Sequence, residues 1–261
     1  MTTTSDTVGD VLRDWRRRRR LSQMALAGEA DISTRHLSFV ESGRAAPSRE
    51  MLMRLAEPLA LPLRERNRLL LAGGYAPLYP ERGLDAPDLA AAREAVEAIL
   101  AAHDPYPALA VDRHWTLVAA NRAVNGLLAD VAPHLLEPPV NVLRLSLSSE
   151  GLAPSIVNLA EWRQHLLERL RHDAASSGDG RLIELHDELR AIPVASSKRP
   201  PQRNATGIAV PLVLRRGDTT LSFLSTTTVF GTATDVTLAE LTLEAFLPAD
   251  PATREALAGG R

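Results

Sequence analysis

The sequence predicts two domains: an all-α domain of five short helices, then an α+β domain with an antiparallel sheet of about five strands. Three observations carry that prediction. Residues 8–70 combine helical apolar spacing with capping residues, Gly73-Gly74-Tyr75-Ala76-Pro77 and Tyr79-Pro80 break the pattern, and the last third turns to runs of Val, Thr, Leu and Phe. The 261 residues suit one large domain or two modest ones, at roughly 100–200 residues per domain. The expected boundaries are 1–74 for the helical domain, 75–104 for a linker and connecting helix, and 105–261 for the α+β domain.

The helical elements follow in order. Val8, Val11, Leu12 and Trp15 fall at i, i+3, i+4 and i+7, one apolar stripe on a first helix. Ser22 stands as N-cap before Gln23–Ala30, and Ser33 caps a third helix through Val40 that Ser42-Gly43 ends. Pro47-Ser48 precedes a fourth helix built on Met51, Leu52 and Leu55; Pro58 breaks it, and Pro62 opens a fifth carrying Leu69, Leu70 and Leu71. Beyond the hinge, Leu89–Ala102 is an amphipathic helix. Ala108–Val111 and Trp115–Val118 suggest a hairpin around Asp112-Arg113-His114. Asn121–Val131, Ile156–His172 and Arg181–Ala191 read as helices, and Pro193–Asn204 as a loop. Gly207–Leu214, Thr219–Thr228 and Val236–Phe246 read as three antiparallel strands, with Gly217-Asp218 as a tight turn.

Composition narrows the function. There is no cysteine, hence no disulfide framework and no thiolate nucleophile or metal site. No apolar run approaches the roughly 18 residues a bilayer span needs, and MTTTSDTVGD lacks the basic and apolar regions of a secretory signal. A cytoplasmic, soluble protein is expected. The net charge of −2 hides an asymmetry: residues 1–69 carry 13 arginines against 9 acids, the remainder 17 bases against 23 acids. A basic first quarter on an acidic body suggests two tasks. Lys198 is the only lysine, which reflects coding bias rather than chemistry.

The strongest motif runs from Gln23 to Val40. Its fifth residue, Ala27, is small where a second helix must cross. Its ninth, Asp31, tolerates the left-handed backbone that a tight turn needs. Ile32, Leu37 and Val40 form the apolar wedge of a helix-turn-helix. Such a motif places the N-terminal residues of its second helix at base edges in the major groove. Arg35 suits a bidentate pair with guanine, while Thr34 and Phe39 suit a thymine methyl. Ser33 and Gln23 sit at helix N-termini, Gln23 within reach of a phosphate, and Arg44 and Arg49 suit phosphate neutralisation. His36 is either a phosphate contact or a surface histidine. Glu41 suits a cap or an arginine partner, and Arg16–Arg20 reads as the solvated end of the first helix or as a source of nonspecific affinity.

Leu21-Ser22-Gln23, Ser33 through Arg44 and Pro47-Ser48-Arg49 resemble the Xre-type, lambda-repressor-like helix-turn-helix. Pro62-Leu-Arg-Glu-Arg-Asn67, Ala72–Pro77, Pro105-Tyr-Pro-Ala-Leu109, Asp112-Arg-His-Trp115, Ala120-Asn121, Asn158–Trp162 and Phe230–Asp235 resemble the MmyB-like transcription regulators across nearly the whole chain. Gly73 in place of the usual alanine, and Pro58 within a helix that normally continues, depart from the pattern. The resemblance implies a PAS-like C-terminal domain that binds a small apolar ligand, with a fatty acid as the bound effector seen in a relative. A carboxylate there would need a cation or paired donors. Arg113 and Arg144 are the candidate anchors, with Trp115, Asn121, Leu221 and Phe223 as further lining candidates and His114, Arg122 and Leu224 beside them. Core packing is the competing role for each apolar residue, Trp115 and Trp162 included.

Catalysis has no motif behind it: there is no phosphate-binding glycine loop, nucleophile elbow or His-Glu-x-x-His, and His165/Glu168 and His186/Arg190 have the spacing of surface pairs. No enzymatic activity, metal or further cofactor is expected. The expected partners are a double-stranded DNA operator, a small apolar ligand and a second copy of the chain, with no membrane. A C-terminal domain that serves only dimerisation or protein interaction remains the alternative.

Overall fold

The computed structural model describes residues 7–193 and 209–258. Two units emerge, one comprising the chain up to Arg82 with Thr232–Ala239, the other Gly83–Gly231 with Glu240 onward. Most of the predicted loop Pro193–Asn204, and the start of the predicted strand from Gly207, lie outside the described residues.

The first unit contains α1 (Val8–Arg18), α2 (Gln23–Glu29), α3 (Thr34–Glu41), α4 (Arg49–Ala56) and α5 (Leu63–Ala72), the five helices anticipated. Thr7, Ser22, Ser33 and Ser48 each accept a backbone N–H in the first turn of the helix they start. Each cap contributes about 1 kcal/mol. Leu12, Leu26, Leu37, Leu52, Leu55 and Leu69 are fully buried and form one core with Trp15 and Val40. Leu71, on the predicted stripe of α5, is exposed instead. Asp31 has φ +52, the left-handed turn its position requires, and Arg54 of α4 donates to the Ala30 and Asp31 carbonyls at 2.6 and 2.8 Å. Gly9 is required where α1 crosses the end of α3, because a Cβ there would collide with the Glu41 carbonyl.

The second unit is built on α6 (Ala90–Ala102), β1 (Ala108–Val111), β2 (Leu117–Ala120), α7 (Arg122–Asn125), α8 (Val142–Leu147), α9 (Leu159–Ser177), α10 (Gly180–Ala191), β3 (Leu212–Arg216) and β4 (Thr219–Val229). It closes with β5 (Thr242–Pro248) and α12 (Pro251–Ala258); between β4 and β5, α11 (Val236–Ala239) belongs to the first unit. The sheet has five strands in the order β2-β1-β5-β4-β3, every neighbouring pair antiparallel. On one face, Val111, Leu212, Leu214, Leu221 and Phe223 join the leucines of α8, α9 and α10 in a single core. Residues from α6 and α12 contact the sheet as well, and Thr253 of α12 accepts the Ser222 N–H at 2.9 Å.

Several predicted elements are revised. Asn121–Val131 is helical only over Arg122–Asn125. Turn bonds from Leu127 to Val124 and from Leu128 to Asn125 replace a helix after Gly126. Val236–Phe246 is not one strand: the Asp235 carboxylate accepts the Thr237 N–H at 2.9 Å and starts α11, so pairing begins only at Thr242. Trp115 has φ +64 and sits in the β1–β2 turn, where Asp112 Oδ1 accepts the N–H groups of His114 and Thr116, both at 2.8 Å. Helices α8 and α12 had no strong sequence signal.

Glu41 ties the first unit together. Its buried carboxylate accepts from Arg16 Nε at 2.6 Å and Nη2 at 2.8 Å, and from Gln23 Nε2 at 2.8 Å, while Arg13 donates to its carbonyl. Burial opposes its charge, but hydrogen bonds from Arg16 and Gln23 and the charges of Arg16 and Arg13 outweigh it and hold the carboxyl below the ordinary range. A lowered folded pKa adds stability above the unfolded value, about 4.3, that disappears as pH falls through the folded one. Glu41→Gln should therefore cost about 3 kcal/mol at neutral pH. Urea unfolding of both proteins should show that deficit shrink at about pH 3.

Candidate functional site

The first candidate surface is the N-terminal end of α3. Ser33 is its cap, its Oγ accepting the His36 N–H at 3.1 Å, so its role in the local fold is clear. Thr34 and Arg35 are exposed in the first turn, and the Arg35 guanidinium lies over the half-buried Phe39 ring, 5.3 Å from its centroid. That stacking orders a long side chain beside the helix end that a major groove would receive. His36 faces inward: its Nε2 is buried without a hydrogen-bond partner. Gln23 Nε2 is engaged by Glu41, although an amide nitrogen has a second N–H. Arg44 follows α3 and Arg49 opens α4; both are exposed, and neither makes an ion pair among the described residues.

The other arginines of this unit are differently employed. Arg16 pairs with Glu41, Arg18 with Asp14 at 2.8 Å, and Arg19 donates to the Leu59 carbonyl at 2.8 Å. Arg18 and Arg19 also lie over the Trp15 ring. Much of the basic run thus serves the fold. Arg35, Arg44 and Arg49, exposed around α3, make no ion pair among the described residues.

The second candidate site is a cavity inside the α+β unit, about 90 Å³ in volume. Its sheet wall includes Leu109 of β1, Leu117 of β2 and Phe246 of β5; its helical wall includes Val124, Leu143, Trp162 and Leu166. Ser146, Arg169, Ser225 and Glu244 are the polar or charged lining residues among an otherwise apolar set. Trp162 Nε1 donates to Ser146 Oγ at 3.1 Å. Arg169 pairs with buried Glu244, and its guanidinium stacks on Trp115, 4.6 Å from the ring centroid. Next to them, burial pushes the Asp173 carboxyl up, against the Arg169 charge and a hydrogen bond from Trp115. Burial, followed by the Arg169 charge, lowers the His165 pKa.

Of the six lining candidates named from sequence, Trp115 lines this cavity. Arg113 instead faces Asp179 at 3.3 Å and Glu240 at 3.7 Å, beside the His114–Asp179 bond at 2.7 Å. Arg144 makes a bidentate pair with Glu188, both bonds 2.7 Å, joining α8 to α10. Arg122 pairs with Asp104 at 2.9 Å. Leu221 and Phe223 are buried in the core that the sheet forms with α8–α10, outside the cavity lining, and Leu224 is exposed. Asn121 is buried and holds the β2 end in place: its Oδ1 accepts the Ala108 N–H at 3.1 Å, and its Nδ2 donates to the Leu100 and Tyr106 carbonyls at 3.2 and 2.8 Å.

Sequence reasoning passed over Arg169, Glu244, Ser146 and Ser225. One signal was available: Arg169 stands seven residues after Trp162, on the apolar stripe of α9 that includes Leu166 and Leu170. An arginine on such a stripe needs a buried acid across from it. Glu244 offered no comparable signal, being one acid within a strand buried on both faces.

A helix-turn-helix with free cations at its exposed helix, joined in one chain to a sheet domain that encloses an apolar cavity, defines a DNA-binding transcription regulator with a ligand-binding domain. Residues 7–69 match the model of a helix-turn-helix domain, and residues 92–259 match that of the MmyB-like transcription regulator ligand binding domain. The second match spans more than half of the chain, which belongs to this family. Among curated proteins, none matches the chain. Among the described residues, no helix is long and apolar enough to cross a membrane, and no cluster of side chains is arranged to hold a metal ion.

Asn121→Ala strips partners from three backbone groups and should cost about 3 kcal/mol of domain stability. Chemical denaturation would measure that loss; a lining role would instead appear as weakened ligand binding by protein that is still folded.

Proposed function

We propose that this transcription regulator reads a DNA operator through α3 as a homodimer in the cytoplasm, and that its second domain senses a small apolar ligand. The observation that supports sensing is the apolar cavity between the sheet and α7–α9. The ligand class is an acyl chain, of which a fatty acid is the simplest member. Each buried methylene would contribute about 0.8 kcal/mol. The cavity is smaller than the ~300–1,000 Å³ of ordinary ligand sites, so an occupant of that size requires the lining leucines to repack. A five-stranded antiparallel sheet covered by helices that leave a cavity also supports the PAS-like reading of the domain.

Within the DNA unit, Arg35 is the proposed base reader, with Thr34 and Phe39 beside it. Ser33 fixes the start of the reading helix, and Gln23, Arg44 and Arg49 are assigned to the phosphates; for His36 the buried ring favours a role in the fold. Occupancy of the cavity changes operator affinity by favouring one placement of the paired helix-turn-helix units over another. That requires the ligand to bind the DNA-competent and incompetent arrangements unequally.

Four measurements check this reading. Arg35→Ala should lose about 1–3 kcal/mol of discrimination between operator and a guanine-substituted site. Arg49→Ala should weaken binding to all DNA and lower the salt slope by about 0.9; an unchanged slope would remove the phosphate contact. Leu117→Phe, which fills the cavity, should reduce ligand affinity about tenfold or more and leave ligand-free operator binding intact. Native mass spectrometry of purified protein, with organic extraction, would identify a resident ligand. A dimer that takes up no apolar ligand would leave the second domain as an interface.

A further inference from the structure

The cation in the cavity wall is already taken. Arg169 Nη1 donates to Glu244 Oε2 at 2.9 Å, and Nη2 donates to Glu244 Oε1 at 2.5 Å and to Thr227 Oγ1 at 3.0 Å. The Glu244 side chain is 4% exposed and that of Arg169 is 23% exposed. Both partners are held from behind. Glu244 projects from the central strand of the sheet, and Thr227 of the neighbouring strand also donates to its Oε1 at 3.1 Å. Trp115 stacks on the guanidinium.

The surrounding charges make the site hostile to a further anion. Asp173, one turn along α9, feels the charge of the same arginine, although burial pushes its carboxyl towards the neutral form. His165 faces Arg169 and Glu244 from the same helix and is disfavoured as a cation by burial. A ligand carboxylate would have to draw Arg169 away from Glu244 and leave a buried carboxylate uncompensated, or sit beside it unpaired. Either route raises the cost of binding.

Neutral hydrogen-bonding groups, by contrast, are available. Ser146 Oγ accepts from Trp162 Nε1, which leaves its own O–H free to donate. Ser225, on β4 and lining the same cavity, makes no side-chain hydrogen bond among the described residues. The remaining lining is apolar.

We infer that the cavity selects an apolar ligand with an uncharged oxygen-bearing head, an alcohol, ester or lactone, in preference to a carboxylate. The Ser146 and Ser225 hydroxyls meet the head while the Arg169–Glu244 pair stays closed. This rests on the cavity being the effector site, and it keeps the apolar chain of that reading while setting an uncharged head in place of the free fatty acid's carboxylate.

The test uses the full-length protein, stripped of bound lipid, at neutral pH. Decanol, methyl decanoate and decanoate are titrated below their aggregation limits, followed by the fluorescence of Trp115 and Trp162 and by native mass spectrometry. Decanol and methyl decanoate should bind about tenfold or more tightly than decanoate, since the acid alone must break a buried pair. Glu244→Gln, which frees Arg169, should shift the ranking about tenfold towards decanoate. Ser146→Ala should weaken decanol and methyl decanoate alike, because each head accepts the free Ser146 O–H. Decanoate binding tightest to the native protein would overturn the head-group inference and leave the effector site standing. If none of the three binds, and Leu117→Phe behaves as the native protein does, the effector reading itself fails and the inference with it. Should Glu244→Gln not fold, the ranking by the native protein decides alone.

Discussion

A carboxylate enters an apolar core only with a cation beside it, and each unit of this protein is organised around one such arginine–glutamate pair. Leaving either acid buried and alone would cost several kcal/mol, more than most single contacts return. In the first unit, Arg16 reaches from α1 to Glu41 at the end of α3, and Gln23 adds the start of α2. Three helices are thereby registered at one point. In the second unit, Arg169 spans from α9 to Glu244 on the central strand, fixing how the long helix lies across the sheet. Pairs of this kind contribute less to net stability than to the choice of a single arrangement. Both arrangements matter here, because one fixes α3 against α1 and α2 and the other lies in the wall of a cavity.

The same logic divides the arginines of the DNA-binding unit. Those that reach an acid or a carbonyl are spent on the fold, as with Arg16, Arg18, Arg19 and Arg54. Those at the exposed ends of α3 and α4 make no ion pair among the described residues. Counterion release rewards such free cations and not the paired ones. The run of five arginines at the end of α1 therefore overstates the charge available to DNA.

In the second unit, the covering helices do not fill the space over the sheet. Trp115, with φ +64 in the β1–β2 turn, and Trp162 on α9 are large and rigid, and the small side chains of Ser146 and Ser225 share the same lining. Large and small residues in alternation pack a core well only when each gap receives a partner. Here the gap remains as an apolar cavity with a few hydroxyls.

Local signals specified the first unit well. Caps at Ser22, Ser33 and Ser48, the small Ala27, the turn at Asp31 and the apolar stripes are all properties of residues a few positions apart, and the structure realises them as α1–α5. The five-stranded count and the Gly217-Asp218 turn were likewise legible, because strand alternation and tight turns are short-range. What only the tertiary structure decided was partnership across the chain. Arg113 and Arg144 carry charge in plausible places, yet Asp179 and Glu188, far along the sequence, claim them. Arg169 and Glu244 are 75 residues apart and meet only because α9 lies across β5. Hydrophobic periodicity shows which side of an element faces inward, but a charge pair depends on which two elements then touch, and distance along the chain conceals that.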